Sequence, residues 1–129
     1  MYSKIKEGLK KRIEITTAAK DSARSYGSGL VDVFASPAMI ALMENTALQA
    51  VSTALEEGYN TVGTAVNVKH IKATPIGMKV YCVAELIKVE GPKLRFQVEA
   101  FDEEGKIGFG THDRYIINVA SFLQNLQKT

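Results

Sequence analysis

Apolar positions change their period along the chain, and the change lays out the fold. Residues 12–18, Arg-Ile-Glu-Ile-Thr-Thr-Ala, alternate with Ile13 and Ile15 on one side, as a half-buried strand does. Residues 19–30 are rich in Ser, Gly, Ala and charge and read as irregular cover. A short apolar piece, Leu30 to Ala35, follows, and then the period lengthens. Ile40, Met43, Ala47, Leu48, Val51, Ala54 and Leu55 fall on one face at helical spacing, and the run stops at Gly58. Ser36 as N-cap, Pro37 in the first turn and Gly58 as the stop complete one long helix.

Beyond Gly58 the period is two. In Thr61–Ile71 the residues Val62, Thr64, Val66, Val68 and His70 share a face. Ala73-Thr74-Pro75-Ile76-Gly77 is a turn. Met78–Glu90 alternates Val80, Cys82, Ala84 and Leu86 against Tyr81, Val83, Ile87 and Val89. Gly91-Pro92-Lys93 turns the chain into Leu94–Asp102, and Asp102-Glu103-Glu104-Gly105 turns it again into Ile107–Val119. The tail, Ser121–Thr129, reads as a short helix or a frayed end. Short turns force antiparallel neighbours. A lone apolar-striped helix then needs a curved sheet around it, so the fold class is α+β. Strands apolar on both faces, notably Met78–Glu90, predict self-association, as a dimer.

Composition narrows the picture without redirecting it. The 129 residues suit a single domain, 1–129 with a core over about 12–119, and no internal repeat divides it. Net charge of +2 argues for neither nucleic acid nor a membrane surface as partner. Lys4, Lys6, Lys10, Lys11 and Arg12 read as a solvated end of the chain. Cys82 is the single cysteine, which excludes an intrachain disulfide and a thiolate metal cluster. The charged start lacks the apolar core of a secretory signal, and the expected compartment is the cytoplasm.

Glu44 breaks the pattern. It lies among the apolar residues of the helix, where an unpaired carboxylate is costly and is therefore either partnered or working. His70 is the second unusual residue, on a strand face that is otherwise apolar. If that face packs on the helix, Glu44 and His70 approach one cavity, although a lone inward histidine is more often structural. Ser36 is the third. N-capping is its ordinary role, and a hydroxyl at a helix start can also meet a bound carbonyl beside free N–H groups. Gly63 interrupts a strand, and Gly108 and Gly110 share a face with His112 and Arg114; each marks either a bend or a place where a ligand nears the backbone. A surface ion pair is the ordinary reading of Arg114. Two histidines on different strands form no recognisable metal-ligand set, and no cofactor is implied.

These residues also carry a resemblance. Val33-Phe34-Ala35-Ser36-Pro37-Ala38-Met39 running into Ala41-Leu42-Met43-Glu44, then Val62-Gly63-Thr64-Ala65-Val66 through His70 to Ala73-Thr74-Pro75, then Ile107-Gly108-Phe109-Gly110-Thr111-His112-Asp113-Arg114, resemble the fluoroacetyl-CoA thioesterase family. The resemblance runs from about Val33 to Val119 and implies the hot-dog fold, completed as a homodimer or a tetramer. It implies a catalytic group of Ser36, Glu44 and His70, with Ser36 standing where the family has a small hydroxyl residue. It also implies substrate contacts from Gly63, through its backbone N–H, and from Thr64 and Arg114. Before the helix the chain departs from the family, offering Gly27 and Leu30 where the fluoroacetyl enzyme carries a lid with two phenylalanines.

The reaction so implied is hydrolysis of a short- or medium-chain acyl-CoA to acid and CoA. Direct water attack, an acyl-serine and a carboxylate-derived anhydride all stay open at this point. Two rivals use the same scaffold: a non-catalytic acyl-CoA binding or sensing module, and an enoyl-CoA hydratase or dehydratase. A third reading makes Glu44 and His70 a buried structural pair.

Overall fold

A computed structural model describes residues 3–127 of the chain. Five strands, β1 (Lys10–Thr16), β2 (Tyr59–His70), β3 (Lys79–Glu90), β4 (Lys93–Asp102) and β5 (Gly105–Asn118), form one antiparallel sheet in the order β1-β3-β4-β5-β2. Among the described residues three α-helices accompany them, α1 (Ala23–Tyr26), α2 (Ser36–Ser52) and α3 (Val119–Leu126), with a short 3-10 helix at Ala19–Asp21. The last two residues of the expected tail helix lie outside the described residues. Helix α2 packs against all five strands, which a straight helix can do only if the sheet curves around it.

The period-two pattern explains the core. Val80, Cys82, Ala84 and Leu86 of β3 are buried beside Leu94, Phe96, Val98 and Ala100 of β4, on the face that receives the helix. From α2 come Met39, Met43, Ala47 and Val51, all essentially inaccessible. Gly108 lets helix and sheet close up, since a Cβ there would stand 2.5 Å from Met39 Sδ. Gly110 does the same for β2, because its Cβ would stand 2.2 Å from the Asn67 carbonyl oxygen. Both glycines therefore permit close packing, a role that the sequence reading did not name. On the outer face Tyr81 stacks on Phe101 with ring centroids 4.9 Å apart, and the Arg12 guanidinium lies 4.1 Å above the Tyr81 ring.

Expectations on three points are corrected here, the first being the two ends of α2. Ser36 is not the N-cap: Ala35 holds that position without a side-chain bond, and Ser36 is the first helical residue. The helix also ends at Ser52, not Gly58. Its last turn tightens, with the Ala54 N–H bonding the Val51 carbonyl, and Gly58 (φ 88°) instead turns the chain into β2.

The second correction concerns faces. The buried side of α2 is centred on Ala38, Met39, Leu42, Met43, Thr46, Ala47, Ala50 and Val51. Ile40, Glu44 and Leu48 lie along its flank and are only half-buried. With Ser36 they form a ridge at four-residue spacing, so Glu44 borders the core and does not sit in its middle.

The third concerns β2. Its register on β5 slips between Gly63 and Ala65, so that Gly63 opposes Arg114 while Val66 opposes His112. A bulge of this kind exchanges the two faces. Thr61 and Gly63 therefore face inward with Val66, Val68 and His70, and Val62 and Thr64 do not share that face.

Candidate active site

The start of α2 meets the end of β2. Ser36 Oγ lies 2.7 Å from His70 Nδ1, across 34 residues of sequence. The pair opens into a cavity of about 360 Å³, lined also by Ala23, Ser28, Phe34 and Lys72. That volume lies within the range that holds small ligands. The other ring nitrogen of His70, Nε2, is buried without a hydrogen-bond partner. Burial lowers the His70 pKa below 6.5, and the Lys72 backbone opposes this from outside hydrogen-bonding geometry. The ring is thus neutral at neutral pH and free to take a proton. Ala35 leaves the first turn of α2 without a side-chain cap, so backbone donors at the positive helix end remain free beside the Ser36 hydroxyl.

Glu44 lies elsewhere in the protomer. Eight residues along a helix separate it from Ser36, about 12 Å of rise. Since Nδ1 of His70 engages Ser36 and Nε2 engages nothing, no hydrogen bond joins Glu44 to His70. The expected meeting of the two side chains in one cavity does not occur within a single protomer. Glu44 instead faces the β2 bulge. A Cβ on Gly63 would stand 3.1 Å from Glu44 Oε2, 3.2 Å from His112 Cε1 and 3.5 Å from an Arg114 guanidinium nitrogen. Glycine is what allows these groups to converge.

Arg114 is not a surface ion-pairing residue; only 7% of it is exposed. Its Nε donates to Thr61 Oγ1 at 2.7 Å and a terminal nitrogen donates to the Thr61 carbonyl at 2.9 Å. The other terminal nitrogen lies 3.1 Å from His112 Nε2. Burial lowers the Arg114 pKa while Glu44 opposes it, and a guanidinium keeps its charge regardless. Thr64 lines a second cavity of about 410 Å³ with Lys88, Lys93 and Arg95, and Arg114 borders the same cavity. The candidate residues thus form two groups, Ser36 with His70, and Glu44 with Gly63 and Arg114, while Thr64 shares a cavity wall with Arg114 alone.

Sequence reasoning missed Thr61 and His112 as members of the second group. His112 was detectable: it stands two residues before Arg114, on the face that β5 turns inward.

One long helix cradled by a curved antiparallel sheet is the hot-dog architecture. The model of the fluoroacetyl-CoA-specific thioesterase family matches residues 17–120. The chain belongs to that family. A fluoroacetyl-CoA thioesterase from Streptantibioticus cattleyicolor is 43% identical over 91 residues, which span 70% of this chain and 66% of that protein, just under two thirds. A solved fluoroacetyl-CoA thioesterase matches with a TM-score of 0.89 at 31% identity, over 97% of each chain. A thioesterase-superfamily member from Thermus thermophilus reaches 0.88 at 29% identity, over 96% of this chain and 92% of its own. The family favours hydrolysis over the sensing and hydratase alternatives. Among the described residues no helix is long and apolar enough to cross a membrane.

Proposed function

We propose that this chain hydrolyses a short- or medium-chain acyl-CoA thioester, in sites completed between two copies of itself. The observation that carries the reading is the Ser36–His70 pair, a hydroxyl and a neutral imidazole at 2.7 Å in a cavity beside an uncapped helix start. Nucleophile and base at such a distance are the signature of covalent catalysis. His70 Nδ1 takes the Ser36 proton as Oγ attacks the thioester carbonyl. The C–S bond breaks, the CoA sulfur leaves with that proton, and an acyl-serine remains. Water then attacks the ester, again with His70 as base, and releases the acid and Ser36. Backbone donors at the helix start stabilise the oxyanion, each worth about 3 kcal/mol where such donors have been removed.

Glu44 enters through the dimer. Strand β2 ends the sheet, with β5 on one side only. Residues 63–67 are exposed along it, and Val66, Ile71 and Phe109 add exposed apolar surface. A bare edge of this length is a liability unless covered. Antiparallel pairing of two β2 edges, about a two-fold axis between Val66 and Asn67, sets Gly63 of one protomer opposite His70 of the partner subunit. The ridge of exposed Ser36 and half-buried Ile40, Glu44 and Leu48 then faces the second copy. Glu44, held at the Gly63 bulge, reaches the Ser36–His70 pair of the other protomer, where it orients the deacylating water. Arg114 acts on the Glu44 carboxylate through its charge, without a hydrogen bond between them. Expected thioester turnover, read as free thiol release from a panel of acyl-CoA esters, should collapse in Glu44→Gln and His70→Ala. Full activity in both variants overturns the assignment.

A further inference from the structure

Arg114 carries hydrogen-bond donors only, so the 3.1 Å contact with His112 requires Nε2 of that ring to accept. Nδ1 must then hold the ring proton, and the Ala65 carbonyl accepts it at 2.8 Å. His112 is 1% exposed and both its nitrogens are spent. It bridges the β2 backbone just past the bulge to the guanidinium that faces Glu44. We propose that His112 is a positioning residue: its neutral, Nδ1-protonated ring fixes the Arg114 guanidinium beside the Gly63 bulge, which Glu44 also borders, and its protonation releases that arrangement.

The groups around the ring support this. Arg114 on its own strand and Glu44 on α2 act on it, Asp113 acts from the neighbouring position, and β2 presents the Ala65 carbonyl. Burial holds its pKa below 6.5 and Arg114 pushes the same way, against the Ala65 backbone, Glu44 and Asp113. A second proton would leave Nε2–H facing N–H, two donors and two positive charges in contact. The bond to Arg114 cannot survive that.

The inference rests on the proposed hydrolase only for its kinetic consequence, and two measurements separate the two. Nitrogen-15 NMR of the full chain, with the other histidine signal assigned through His70→Ala, should show His112 as the Nδ1–H tautomer from neutral pH to below pH 6.5. An Nε2–H tautomer, or a cationic ring at neutral pH, overturns the proposal whatever the enzyme does. In turnover, His112→Asn keeps a donor for Ala65 but cannot reach Arg114. It should lose kcat by on the order of 10²-fold, as small misplacements in active sites do. His112→Gln offers an untitratable acceptor to Arg114 and should recover most of that loss. The acidic limb of its kcat/KM profile should be one proton shallower than the wild type's. Equal loss in both variants, or an unchanged limb, overturns the proposal. If wild type cleaves no thioester, the hydrolase reading falls and the NMR result still decides His112.

Discussion

The Ser36 hydroxyl lies 2.7 Å from Nδ1 of His70 because the first residue of α2 and the last of β2 meet at one corner of the sheet. The same hydroxyl caps nothing, since Ala35 holds the N-cap position. Its chemistry is therefore separable from helix stability. Ser36→Ala should leave the melting temperature nearly unchanged and reduce kcat by on the order of 10²-fold or more, the scale of losing a positioned proton partner. Ser36→Thr should keep activity. Turnover of Ser36→Ala within a few-fold of wild type would replace the acyl-serine with direct attack by water.

Gly63 and Gly110 lie on the inward face of adjacent strands, and they should respond differently to a methyl group. At Gly63 the new Cβ would meet Glu44 Oε2 at 3.1 Å, the far end of a flexible side chain, and His112 Cε1 at 3.2 Å, a contact that a shift of a few tenths of an ångström relieves. Gly63→Ala should fold, with activity lost as Glu44 is displaced. At Gly110 the Cβ would meet the Asn67 carbonyl oxygen at 2.2 Å and Val68 Cα at 2.6 Å, with φ at +157°. Backbone cannot step aside so cheaply, and Gly110→Ala should lower the melting temperature far more than Gly63→Ala. Thermal melts beside turnover assays check the ranking. Equal melting temperatures would show that β2 shifts freely against β5.

What the chain disclosed in advance follows from which physics is local. The helix and the five strands were legible because apolar period depends on nearest neighbours, and Gly91-Pro92 and Glu103-Glu104 turn the chain where their residue types require. The bulge at Gly63 and Ala65 was not legible. It swaps the faces of β2, so a strict alternation wrongly grouped Val62 and Thr64 with His70. Ser36 looked like an N-cap since its residue type fits; only the His70 ring, 34 residues away, shows what engages the hydroxyl. Arg114 looked solvent-facing because burying a guanidinium needs partners, and those come from Thr61 and His112 on positions a sequence does not align. Glu44 and His70 stood out in the sequence by residue type alone. Their separation within one protomer is a property of the tertiary arrangement that periodicity does not contain.

Acidification should destabilise the fold before any carboxylate titrates. Burial lowers the pKa of both His70 and His112 from 6.5, so the unfolded chain takes up protons that the folded chain refuses. Stability is therefore fully present above pH 6.5 and declines as pH falls from there through the two folded values. The paired Asp102 and Asp113, whose pKa values are lowered from 3.8, add their loss only further down. Melting temperature measured across this window should fall in wild type and fall less steeply in His112→Gln. A flat profile between pH 6.5 and 5 would mean that neither ring is neutral because of burial.

Subunit mixing tests the shared site directly. A Glu44→Gln protomer retains Ser36 and His70, and a His70→Ala protomer retains Glu44. If each site draws Glu44 from one copy and the Ser36–His70 pair from the other, a mixed dimer holds one complete site and one doubly defective site. After subunit exchange, half the dimers are mixed, so two nearly inactive variants should together regain about a quarter of wild-type turnover. Sites built within one protomer predict no recovery, since neither copy then holds both groups. Light scattering on the same samples reports the dimer itself. An active monomer would remove the β2 edge as the means of bringing Glu44 to His70, and recovery without dimers would be inconsistent with either arrangement.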